Sequence, residues 1–196
     1  MRPPVEERLP DPLPDQVRDL FGEAEPASRG DLAAIERQIG RTPRGAVLVA
    51  SRCPLGAPTV ILTLPPEPEG GPVPPLLWLT CPHLCALAGT LESRGLNSEL
   101  TARLLSDVGA LKLLAKQETR LAACAAGLAR SAGSSLAEAM ASRGVAGGRP
   151  GAVKCLHAHL AFRLAAGEGV IGDWCLEMLG ADIWDCDDRT SKTCLG

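Results

Sequence analysis

The chain contains no tyrosine, and only two phenylalanines and three tryptophans among 196 residues. It therefore has little from which to build the stacked aromatic platforms that single-strand nucleic-acid binders use. Lysine and arginine are scattered without a long basic run and the net charge is −3, so the electrostatic footprint of a phosphate reader is missing as well. Nucleic acid is not an expected partner. No apolar run approaches the roughly 18–20 residues that a membrane span needs, and the opening "MRPPVEERLPDPLPD" has no hydrophobic signal core. The expectation is a cytoplasmic protein without a membrane span. There is no C-x2-C pair, which removes the usual zinc-ribbon signatures. G-x-S-x-G, H-E-x-x-H and the dinucleotide fingerprint are absent too.

What is present is a chain 45% apolar, enough for one core and short enough not to need two. Residues 1–29 are rich in proline and acid and read as a flexible arm, with a short helical piece at "DQVRDLFGEA". Residues 30–184 read as a single globular domain, and 185–196 as a polar, frayed tail. Asp31 is a reasonable N-cap for "DLAAIERQIG", which Gly40 can end. "GAVLVAS" and "TVILTL" flank the turn "RCPLGAP" as an antiparallel hairpin, and "LLWLT" follows the loop "PPEPEGGPVPP" as a third strand. From Pro82 onward the pattern is mostly helical. The expected class is α+β: a small antiparallel sheet of about three strands over residues 45–80, packed against a C-terminal helical layer.

Eight cysteines and three histidines carry the chemistry. In a reducing compartment most such thiols are core residues, ligands or reactive groups rather than disulfides. Cys53 falls at the hairpin turn, Cys81 at a strand-to-helix junction and Cys155 near a helix start. Junctions at one end of a sheet can converge. Cys81 stands where unsatisfied N–H groups and the helix dipole favour a thiolate. In "VKCLHAHLAF", a helix over 152–166 puts Val153, Leu156, Leu160 and Leu164 on one stripe with His157 at its margin. Cys155 and His159 then share the opposite side as an i, i+4 pair able to hold one ion. His83, in "TCPHLC", projects away from Cys81 unless the first turn is distorted. Cys85, Cys124 and Cys175 read as core, and Cys186 and Cys194 as tail thiols. A separate loop, "GVAGGRPGAVK", brings Gly147, Gly148, Arg149 and Lys154 together as an anion-binding turn, without the P-loop spacing. Glycine-rich loops of this kind are more often plain connectors.

The runs "DLAAIERQIGRTPRG", "SRCPLGAPTVI", "LLWLTCPHL" and "GVAGGRPGAVKCLHAHLAF" resemble an uncharacterised bacterial family, domain of unknown function 501, over about Asp31 to Leu179. The resemblance names no activity. It implies a small cytosolic protein whose motifs are built around Cys53, Cys81 and Cys155, with His83, His157 and His159 beside them. The family's frequent gene neighbourhood implies a division-related partner. The first reading is a metal site on the three cysteines. With a histidine it is a closed Cys3His zinc site; with an open position it is a [4Fe–4S] cluster able to bind substrate. A metal-free interaction module and an anion-binding enzyme using Arg149 and Lys154 are the alternatives, and whether the protein is an enzyme stays open.

Overall fold

A computed structural model of the chain describes residues 9–43, 45–64, 75–146, 151–180 and 183–195. The elements are α1 (Asp15–Leu20), β1 (Glu25–Pro26), α2 (Arg29–Ile39), β2 (Val47–Arg52), β3 (Pro58–Thr63), β4 (Leu77–Leu79) and α3 (Pro82–Ser93). They continue with α4 (Leu96–Ser106), α5 (Val108–Ser131), α6 (Ala137–Ala141), α7 (Leu156–Ala166), α8 (Val170–Leu179) and α9 (Asp188–Leu195). Among the described residues the strands form one antiparallel sheet in the order β1-β2-β3-β4. The class is α+β, with one strand more than the sequence suggests. Two-residue β1 carries no period of its own and exists only because it pairs Glu25 with Val49 and Pro26 with Leu48.

Alternation along the strands divides the sheet into two buried faces. Val47, Val49 and Ile61 meet Ile35 and Leu32 of α2 on one side, while Leu48, Ala50, Val60, Leu62 and Leu77 enter the large core with α5, α7 and α8 on the other. Helices thus cover both faces, not only the C-terminal layer. α2 starts at Ser28 rather than Asp31: the Ser28 hydroxyl accepts from the Asp31 N–H, and the Asp31 carboxylate accepts from the Ser28 N–H, closing a capping box. Gly40 ends the helix at φ 69°, where only glycine is unstrained.

The expected flexible arm does not extend over residues 9–29. Val17, Leu20 and Phe21 are buried in the main core, and Phe21 meets Phe162 edge to face at 6.3 Å. Their i, i+3, i+4 spacing builds one apolar face of α1 against α5. The tail also differs: residues 188–195 are helical and α9 packs on α2. No helix among the described residues is long and apolar enough to cross a membrane.

Arg52 ties β1, α2 and the hairpin together. It donates to Asp31 at 2.6 and 3.0 Å, to Glu25 at 3.1 and 2.8 Å, and to the Gly56 carbonyl at 3.0 Å. The hydrogen bond from Arg52, working against burial, holds the Asp31 carboxyl at about 2 instead of 3.8. This contribution is present above pH 3.8 and lost as the pH falls through 2. Arg52→Ala is expected to cost about 2 kcal/mol near neutral pH, since it leaves a mostly buried carboxylate with only its Ser28 hydrogen bonds. Urea denaturation checks it: the gap between wild type and variant should narrow in acid, and an unchanged midpoint at neutral pH would contradict the assignment.

Candidate functional site

β2 and β4 are each antiparallel to β3, so they run the same way and end at the same end of the sheet. The register of β2 shifts between Val49 and Arg52, a bulge that re-aims the chain just before Cys53. Cys53 closes the hairpin turn, its N–H donating to Ala57. Cys81 follows β4 as the N-cap of α3, with Pro82 opening the helix. α7 lies across β4 and β3 and against α3, and Cys155 is its N-cap. The three junction cysteines therefore belong to one end of the sheet and two helix N-termini.

The tightest grouping of ligand-type atoms among the described residues is Glu92, Cys155 and His157, whose donor atoms all lie within 4.8 Å of one another. All three residues are half-buried. Glu92 Oε1 stands 3.2 Å from His157 Nδ1 and accepts the Leu156 N–H at 2.6 Å, so the carboxylate sits on the first amide of α7, where the helix dipole favours negative charge. His157 Nε2 lies 3.1 Å from the Cys85 carbonyl, to which it donates, leaving Nδ1 to face the carboxylate and thiol. The Cys155 sulfur completes the group, within 4.8 Å of the ligand atoms of both His157 and Glu92.

The electrostatics follow from these contacts. Hydrogen bonding to Cys155, opposed by burial and reinforced by Glu92, raises His157 to about 9. Burial works to raise Glu92, but the Leu156 N–H and His157 outweigh it and hold the carboxyl below its usual range. Without metal, the neutral-pH site is an imidazolium against a carboxylate. A group with a raised folded pKa stabilises fully below its ordinary value of 6.5 and loses that contribution as pH rises through about 9. Thermal melts of metal-free protein should therefore fall across that window, and His157→Gln should flatten the profile. A profile unchanged in the variant would contradict the pairing.

The other expected ligands are distributed differently. Cys155 leaves the helical period because its φ of −144° and ψ of 115° are extended; the expected Cys155–His159 pair gives way to Cys155 with His157. His159 is 3% exposed. Burial lowers it to about 4, only partly opposed by the Ala152 backbone, and Nε2 has no hydrogen-bond partner. Cys81 is buried, and burial raises its thiol to about 11 against the lowering effect of the Leu84 and His83 backbone amides. Cys53, Cys81 and Cys155 are not within 4.8 Å of one another. That spacing is set against a single shared ion, whereas a cluster spreads its cysteines over several irons. Cys85 donates to the Leu79 carbonyl at 3.3 Å, and Cys124 and Cys175 are fully buried core thiols.

Gly147, Gly148 and Arg149 of the glycine loop lie outside the described residues. At the loop's described ends, the Gly151 N–H donates at 2.8 Å to Glu118 and the Val145 N–H donates to the same carboxylate. These amides are engaged by the protein's own anion. Lys154 is exposed, and its carbonyl accepts from Asn97 at 3.2 Å.

Glu92 had no sequence signal. It stands 63 positions before Cys155 and reaches it only because α3 packs on α7.

Residues 49–177 match the family described as Protein of unknown function (DUF501). This is most of the chain, and the protein belongs to that family. The matched span contains Cys53, Cys81, Glu92, Cys155 and His157 and stops short of Cys194. No curated protein and no solved structure matches the chain.

Proposed function

We propose that this family member is a metal-binding protein whose ion, of the zinc type, is held by Glu92, Cys155 and His157. The supporting observation is the convergence of one thiol, one imidazole nitrogen and one carboxylate oxygen within 4.8 Å, with the other imidazole nitrogen secured by the Cys85 carbonyl. A ligand histidine is usually oriented this way by its outer partner. The arrangement suits a nucleophilic triad less well, because a triad histidine addresses its nucleophile and its carboxylate through opposite nitrogens. Here Nε2 is spent on the backbone, and carboxylate and thiol gather on the other side.

A mixed S, N, O donor set favours a borderline ion such as zinc over hard cations. Three protein ligands leave a fourth tetrahedral position for water or substrate, the feature that distinguishes reactive from structural zinc sites. Binding must displace the His157 proton and the thiol proton, so affinity should rise with pH until His157 is neutral.

Anaerobic purification followed by metal analysis and a visible spectrum tests the proposal. Colourless protein with zinc lost on Cys155→Ser or His157→Ala supports it. Brown protein containing iron and sulfide would move the site to Cys53, Cys81 and Cys155 as a [4Fe–4S] centre. Protein that binds neither metal would favour the metal-free interaction module.

A further inference from the structure

Cys155 owes its place beside His157 to an extended backbone that its own segment does not enforce. Residues 152–155 belong to neither a helix nor a strand, so no regular ladder of backbone hydrogen bonds fixes their torsions. Even so, Cys155 holds φ −144° and ψ 115° at the threshold of α7. Two side chains grip the backbone on either side of it. Glu92 Oε1 accepts the Leu156 N–H at 2.6 Å, and Asn97 Nδ2 donates to the Lys154 carbonyl at 3.2 Å.

Glu92 and Asn97 stand together for a local reason. α3 ends at Ser93, and the Glu92 carbonyl accepts the Gly95 N–H at 2.9 Å. Gly95 then takes φ 80° and ψ 14°, which glycine adopts without strain, and α4 starts at the next residue with Leu96 buried beneath the corner. One tight corner therefore supplies a carboxylate from the last turn of α3 and an amide from the first turn of α4. The residue type matters. A carbonyl oxygen can be held only by a donor, which the half-buried Asn97 amide has and an aspartate would lack.

We propose that Asn97 is a positioning residue of the metal site: by holding the Lys154 carbonyl it fixes the backbone that aims the Cys155 sulfur, without touching the ion. The proposal rests on the reading of Glu92, Cys155 and His157 as ligands and adds what orients the thiolate. The other two ligands have their own outer partners, His157 in the Cys85 carbonyl and Glu92 in the Leu156 N–H. Asn97 gives Cys155 its counterpart. Outer partners of this kind typically set about 10–100-fold of a site's metal affinity.

Cobalt(II) tests the role, because it replaces zinc and reports a thiolate ligand through a sulfur-to-metal charge-transfer band. It is added to metal-free full-length wild type, Asn97→Leu and Asn97→Gln, alongside zinc titrations against a chromophoric chelator. Asn97→Leu keeps the bulk and loses the donor. It should weaken zinc by about tenfold or more and diminish the charge-transfer band at saturating cobalt. A residue that only stabilised the fold would lower the metal-free melt and leave the spectrum of the loaded protein unchanged. Asn97→Gln keeps the amide on a longer stem and should recover part of both the affinity and the band. Asn97→Leu with wild-type zinc affinity and an unchanged band would overturn the positioning role while leaving the site intact. Wild type that takes up neither ion would overturn the site itself, and this role with it.

Discussion

Cys155→Ser and His157→Ala are each expected to abolish the stabilisation that zinc confers through the Glu92 site. An ion present at a hundred times its dissociation constant stabilises the folded state by about 2.7 kcal/mol. The rise in melting temperature on adding zinc should disappear in either variant. Glu92→Gln is the sharper probe. The amide oxygen can still accept the Leu156 N–H that Glu92 Oε1 now takes at 2.6 Å, so the start of α7 is kept while the negative charge is removed. It should lower zinc affinity and, because the lost charge no longer helps hold the His157 proton, also lower the metal-free melt at neutral pH. A zinc shift that survives all three substitutions would dismiss this ligand set.

Gly172→Ala should destabilise the protein whether or not metal is bound. A Cβ added there would come within 2.3 Å of Arg163 Cβ and 2.6 Å of the His159 carbonyl oxygen. Alanine is the better helix former by roughly 0.5–1 kcal/mol. Overpacking against backbone costs typically 1–3 kcal/mol and more where nothing can rotate away. The carbonyl is fixed by α7 and Arg163 is held by its ion pair with Asp173, so the clash should win with a net loss of about 2 kcal/mol. α8 would have to move off α7 two residues from His157, so zinc affinity should fall too. Chemical denaturation with a parallel zinc titration measures both. A variant as stable as wild type would show that the two helices separate freely.

The sequence and the fold agree where local chemistry decides. Pro82 opens α3, Gly40 closes α2, the aliphatic runs pair as strands, and Cys53 and Cys81 fall at junctions because turn and cap signals are local. The start of α7 was not legible. The apolar stripe of "VKCLHAHLAF" continues through Val153, and nothing in the residue types marks Cys155 as extended, yet that one torsion exchanges His159 for His157 as its partner. Glu92 was hidden for a different reason, since only helix packing brings it to α7. The burial of Cys194, 8% exposed, was hidden by the polar composition of its neighbours. The order in residues 9–29 is more accessible: Val17, Leu20 and Phe21 mark a helical face, which the proline content of the segment masks.

Zinc-edge anomalous scattering from crystals of the zinc-loaded protein tests the central claim most directly. A peak within about 2.0–2.3 Å of Cys155 Sγ, His157 Nδ1 and a Glu92 carboxylate oxygen is the predicted result. Density at zinc positions that touch none of these three atoms, or no anomalous peak at all, would contradict it.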